Sequence, residues 1–106
     1  MISFNEFKKL EMKVGTVKKV LEIPNSKKLL KMQIDIGGTI KQVIAGIKGH
    51  YKPEELEGKQ FVFVTNLEPA NLMGELSEIM ILAAVEGDKV VLIKPEKDIS
   101  NGSIIE

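Results

Sequence analysis

The chain contains no cysteine, no tryptophan and no arginine, and its one histidine is His50. Without cysteine there can be no disulfide, no thiolate–zinc site and no cysteine nucleophile. A lone histidine excludes sites built on two imidazoles. No apolar run approaches the length of a membrane span. The start, Met1-Ile2-Ser3-Phe4-Asn5-Glu6, lacks the basic residues and apolar stretch of a secretory leader. We expect a cytoplasmic protein, translated as it stands. At 106 residues, 43% of them hydrophobic and 28% charged, we expect one soluble domain spanning residues 1–106.

The fifteen basic residues, all lysine, equal the fifteen acids, so the net charge is zero. That sum hides a division. Residues 1–52 hold eleven lysines against four acids, and residues 53–106 hold four lysines against eleven acids. Such a split suggests one face built to meet an anion, or a complementary self-contact. We expect the acidic half to lie away from any RNA or to serve a dimer.

Ser3-Phe4-Asn5-Glu6 reads as a capping box, opening a short helix with Phe4, Phe7 and Leu10 on one face. A valine-rich strand is expected from Val14 to Ile23, broken by Pro24-Asn25-Ser26. Leu30, Met32, Ile34 and Ile36 alternate with Lys31, Gln33 and Asp35, the pattern of a half-buried strand. Gly37-Gly38 suits a hairpin turn, and Ile40 to Ile47 is the returning strand. Pro53 to Gly58 reads as a short helix with proline and acids at its start. Phe61-Val62-Phe63-Val64 is apolar on both faces and expected to be central. Asn66 to Ser77 is expected to be a long loop. Ile79 to Val85 and Val90 to Ile93 are further strands, turned by Glu86-Gly87-Asp88. The fold class is all-β: a five-stranded OB-fold barrel with a short N-terminal helix, a short helix after strand three and a C-terminal β extension.

No catalytic constellation emerges. His50 reads as a solvated loop residue, and Glu54, Glu55 and Glu57 as dipole-favoured acids at a helix start rather than a metal cluster. Ser77 and Ser100 have no histidine placed to activate them, and Gly37-Gly38 is not followed by a phosphate-cradling helix start. We expect no enzyme, no cofactor, no metal and no small-molecule substrate.

Nucleic-acid binding is better supported. An OB-fold meets its ligand with the face of strands two and three and the loops between strands one–two and four–five. Here the first loop carries Lys27 and Lys28, the second strand adds Lys31 and Gln33, and Lys13, Lys18, Lys19 and Lys41 lie on neighbouring strands. Lysine binds phosphate as a point charge without bidentate base reading. With Phe61 and Phe63 in the core, Phe4 and Phe7 packing the helix and only Tyr51 free, stacking platforms are scarce. Structured RNA contacted through its backbone fits such a face better than single strands.

The residues then resemble a known family. Phe7-Lys8-Lys9-Leu10-Glu11-Met12-Lys13-Val14-Gly15, Pro24-Asn25-Ser26-Lys27-Lys28-Leu29-Leu30, Ile34-Asp35-Ile36-Gly37, Gln42-Val43-Ile44-Ala45-Gly46-Ile47 and Tyr51 to Lys59 occur in one order. Asn66-Leu67 with Pro69, Leu72 with Gly74, Ser77 with Met80, and Asn101-Gly102-Ser103-Ile104 follow. This series resembles the tRNA-binding domain appended to methionyl-tRNA synthetases and found as stand-alone proteins. The resemblance implies an OB barrel with a C-terminal extension, a homodimer, and tRNA contacts at Asn25, Lys28, Lys31, Ser77 and Met80. With the lysine face, the candidate set is Lys13, Asn25, Lys27, Lys28, Lys31, Gln33, Lys41, Ser77 and Met80. The implied role is non-catalytic: tRNA recognition beside a synthetase, most plausibly the methionyl one.

The chain also departs from the family pattern. Glu68, Asn71 and Met73 stand where the family has basic residues, and Glu75 and Glu78 add negative charge. Lys27 replaces a family aspartate. One ligand loop therefore keeps its lysines while the other has the wrong sign for phosphate. This leaves a second reading open: a dimeric protein-interaction or secretion-chaperone-like module that binds polypeptide, with Leu72 and Met73 as exposed anchors.

Overall fold

The computed structural model describes residues 1–106. A short helix α1 (Phe4–Phe7) leads into strand β1 (Met12–Glu22), followed by β2 (Leu30–Asp35) and β3 (Ile40–Ala45). Helix α2 (Pro53–Leu56) precedes β4 (Gln60–Val64). Then come β5 (Ala70–Leu72), β6 (Glu75–Ser77), β7 (Met80–Ile81), β8 (Ala83–Glu86) and β9 (Lys89–Leu92). The main sheet has the order β3-β2-β1-β4-β7, and every pairing in it is antiparallel. It curls into a nearly closed, five-stranded OB-like barrel.

Strand β1 is long because it serves two partners. Its first part pairs with β4, Met12 opposite Val64, and its second part with β2, Glu22 opposite Leu30. The register slips between Val17 and Lys19, so the extra residue Lys18 bends the strand and sharpens the barrel's curl. Gly15 sits inside this curl. A Cβ there would lie 2.7 Å from Cγ2 of Ile34 and 2.9 Å from Cγ2 of Ile36.

The alternation in β2 holds. Leu30, Met32 and Ile34 are fully buried, while Lys31, Gln33 and Asp35 lie on the outer side. The strand stops at Asp35 because its carboxylate accepts the Gly37 amide at 2.9 Å, and Gly37 and Gly38 take φ of +92° and +93°. In β3, Val43 and Ile44 are both buried, which accounts for the blurred alternation of that segment. Val43 belongs to the core, whereas Ile44 lines a hollow with residues 67–80. Phe61 and Phe63 of β4 join the core together with Leu56 of α2.

Four expectations need correction. The segment from Asn66 to Ser77 is not a long loop: β5 and β6 form a hairpin, Leu72 opposite Glu75, turned by Met73 and Gly74 at φ +52° and +80°. A two-residue turn with both φ positive usually announces itself by Asn-Gly or Asp-Gly, and Met-Gly does not. The strand expected from Ile79 to Val85 is split at Leu82. Its amide donates to the Val62 carbonyl and its own carbonyl accepts from Ile93, so the chain leaves the barrel there and continues into the β8–β9 hairpin. Phe4 does not pack a helix: α1 buries no residue and Phe4 is exposed, although the Ser3–Glu6 capping box is present. Tyr51 is not free, for it packs on the core and its hydroxyl accepts from the Leu92 amide at 3.0 Å.

The C-terminal segment straps the barrel. The Val14 amide donates to Ser103, the Gly102 amide to Val14 and the Ile105 amide to Met12. Asn101 Oδ1 accepts from Thr16 Oγ1 at 2.8 Å and from Gln60 Nε2 at 3.0 Å.

Candidate nucleic-acid interface

The loop from β1 to β2 is organised around Ser26, which is buried. Its Oγ accepts from the Leu29 amide at 3.0 Å, and its carbonyl accepts from Lys48 Nζ at 3.2 Å. Asn25 adopts φ +68°, a conformation asparagine tolerates better than most residues. This tight turn leaves Lys27 and Lys28 exposed, with no carboxylate in ion-pair range. Lys48 is engaged instead, 3.3 Å from Glu22. Lys18 and Lys19, at the bulge of β1, are likewise exposed and unpaired.

The outer face of β2 and β3 presents Lys31, Gln33 and Gln42, whereas Lys41, opposite the core residue Ile34, leaves β3 on the other side at the strand's edge. Lys31 Nζ lies 3.2 Å from Glu75 Oε1, and Lys41 Nζ lies 3.8 Å from Glu78 Oε2. Gln33 Nε2 donates to Gln42 Oε1 at 3.1 Å, and Gln42 Nε2 donates to the Leu76 carbonyl at 2.8 Å. The β5–β6 hairpin thus lies across this face. The acids here do not lie apart from the lysines of the first half, as the charge split had led us to expect: Glu75 of the hairpin and Glu78 just after it pair with Lys31 and Lys41.

Ser77 and Glu78 close the barrel at the free edge of β3. The Ile44 amide donates to Ser77 Oγ at 3.0 Å, and Ser77 Oγ donates to the Ile79 carbonyl at 3.0 Å. The Gln42 amide donates to Glu78 Oε1 at 2.9 Å. Side chains here make the bonds that a ladder between β3 and β7 would have made. Met80 is half exposed and lines a hollow of about 290 Å³ with Ile44, Leu67, Leu72 and Ile79.

The structure brings Lys31, Gln33 and Ser77 together, with Met80 bordering them and Asn25, Lys27 and Lys28 on the loop that enters β2; Lys41 lies at the β3 edge, on the other side of the strand. Lys13 stands apart. It sits on the part of β1 that pairs with β4, 3.5 Å from Glu11 and bridged to Ile104. Glu11 also accepts from Thr65 Oγ1 at 2.7 Å. That hydrogen bond first, and the Lys13 charge second, lower the Glu11 pKa below the ordinary glutamate value. Sequence reasoning missed the structural work of Ser26 and the pairing role of Glu75. Nothing local signals that a serine is buried or which lysine a distant glutamate will meet.

Residues 12–104 match the family described as "Putative tRNA binding domain". The chain belongs to this tRNA-binding domain family. It is 51% identical over 105 residues, 99% of its own length, to the methionine–tRNA ligase of Methanococcus aeolicus. It spans only 16% of that curated relative. Among solved structures, a MetRS related protein from Pyrococcus horikoshii superposes with a TM-score of 0.94 at 39% identity, covering 100% of this chain and 98% of that one. The chaperone CsaA of Bacillus anthracis superposes with a TM-score of 0.90 at 36% identity, covering 100% and 99%. The tRNA-binding domain is a binding fold, and here its OB ligand face and β1–β2 loop carry the lysines. No helix of the chain is long and apolar enough to cross a membrane.

Proposed function

We propose that this tRNA-binding domain binds tRNA without catalysing a reaction, reads backbone shape rather than base identity, and acts in the cytoplasm beside a methionyl-tRNA synthetase. The observation that carries the proposal is the pair of exposed, unpartnered lysines, Lys27 and Lys28, on the loop entering β2, next to the Lys31 and Gln33 face. Asn25 sets the turn that presents them, Lys41 adds a charge from the β3 edge, and Ser77 and Met80 border the face. Lys13 contributes only from the flank. The chain works as a homodimer: Val85 and Val91, on the β8–β9 hairpin beyond the barrel, are exposed and line a shallow hollow. Two copies would place two basic faces on one partner and add their contacts by avidity.

The test is a fluorescence titration of tRNA at several salt concentrations. We expect binding that weakens steeply with salt. In Lys28→Gln the slope of log affinity on log salt should shrink by about 0.7 to 0.9, one phosphate's worth. Unchanged affinity and slope in that variant would overturn the assignment of the loop.

One observation favours a polypeptide ligand as a second reading. The hollow lined by Leu67, Leu72, Ile79 and Met80 is apolar, has Glu68 and Glu78 among its lining residues, and occurs in a chain similar to a protein described as a chaperone. Binding of an apolar, basic peptide, with no tRNA binding even at low salt, would support it.

A further inference from the structure

The β5–β6 hairpin sets an acid, Glu75, on a lysine of the β2 face. Lys31 is the best placed cation on the β2 face, yet Glu75 Oε1 sits 3.2 Å from its ammonium. The two acids near this face are not equivalent. Glu78 gives Oε1 to the Gln42 amide at 2.9 Å and approaches Lys41 only to 3.8 Å, so barrel closure fixes it in place. The Glu75 carboxylate has Lys31 as its one hydrogen-bond and ion-pair partner, its side chain is about one-third exposed, and it opens a three-residue strand next to the Met73-Gly74 turn. One carboxylate oxygen on one ammonium, with water still reaching both groups, is a pair that a phosphate can exchange.

We infer that Glu75 is an internal competitor for phosphate: it holds Lys31 in the free protein and yields it to a phosphodiester of tRNA on binding. The inference rests on the tRNA-binding reading and deepens it, by naming the residue that sets affinity. Binding then exchanges a carboxylate for a phosphate on one ammonium, and Glu75 swings to solvent. The released carboxylate regains only its ordinary screening by salt, so the exchange shows in affinity while the salt slope still follows the number of phosphates met. The competitor also favours RNA that can reach Lys27, Lys28 and Lys31 together, because one phosphate alone gains little from displacing Glu75.

The test titrates labelled tRNA into wild type, Glu75→Gln, Glu68→Gln, Lys31→Gln and the Lys31→Gln/Glu75→Gln double variant across a salt series. Glu68→Gln removes the same charge from the same region without freeing a lysine. We expect Glu75→Gln to bind roughly two- to fivefold tighter, with little change in salt slope because the same phosphates are met. Glu68→Gln should tighten binding less, and the gain should vanish in the double variant. Tightening equal in both glutamate variants, or surviving loss of Lys31, would overturn the exchange while leaving tRNA binding intact. Binding by Glu75→Gln where wild type shows none would support it. No binding by either would overturn both this inference and the tRNA reading.

Discussion

Gln42 and Glu78 hold each other twice: the Gln42 amide donates to Glu78 Oε1 at 2.9 Å, and the Glu78 amide donates to the Gln42 carbonyl at 2.8 Å. This reciprocal pair substitutes for strand pairing where β3 and β7 fail to meet. Glu78→Ala leaves the Gln42 amide without its partner at a half-buried edge, so we expect a loss of about 1 to 2 kcal/mol. Glu78→Gln keeps an oxygen in place and should recover most of it. Lys41→Met should change stability little, because its ion pair is long and exposed. Urea denaturation of the three variants checks the ordering.

Gly15 and Gly46 make a contrasting pair. A Cβ at Gly15 meets the methyls of Ile34 and Ile36 inside 3 Å, whereas one at Gly46 meets nothing within 4 Å. We expect Gly15→Ala to destabilise by about 1 to 3 kcal/mol through overpacking. Gly46→Ala should be neutral or stabilising by up to about 1 kcal/mol, because it restricts the unfolded chain. Thermal melts of both proteins would show it.

Glu11 links stability to acid. Its folded pKa lies below the ordinary value, because Thr65 donates to its carboxylate and Lys13 stands beside it. A depressed carboxylate stabilises above its unfolded pKa and loses that contribution as pH falls through the folded one. The difference in melting temperature between wild type and Glu11→Gln should therefore be largest at neutral pH and close as the pH drops below about 4. A gap that stays constant across that range would show that the carboxylate charge carries none of it.

The β8–β9 hairpin is where the proposed dimer is tested. Val85 is 68% exposed, the most exposed valine of the barrel's extension. A charge introduced there would be desolvated in a paired copy but free in a monomer. Val85→Glu should weaken self-association about tenfold or more, read by sedimentation equilibrium, with thermal stability at high dilution unchanged.

Apolar pattern together with the turn residues located β1 to β4 to within two or three residues. Leu30, Met32 and Ile34 alternate with polar neighbours, and Phe61 to Val64 is apolar on both faces. The lysines of the β1–β2 loop were equally legible, since Pro24-Asn25-Ser26 marks a turn and charge at a turn is solvated. The segment from Asn66 to Leu82 was not. Its hairpin turns on Met73, a residue with no preference for positive φ, and its hydrogen bonds go to a strand thirty-odd residues away.

Composition determined what this chain could not be: without cysteine or arginine and with one histidine, thiolate chemistry, guanidinium forks on phosphate and paired-imidazole sites were closed to it. The patterns of apolar residues then determined the barrel strands, because side-chain period follows backbone geometry. Tertiary structure alone decided which charges meet. The sequence places Glu75 and Glu78 in an acidic half and Lys31 and Lys41 in a basic one, and only the hairpin's path across β2 and β3 sets them in contact. It also decided that Ser77 closes the barrel and that Tyr51 caps the core. Such contacts depend on distance in space, and one strand's pattern carries no record of what folds back over it.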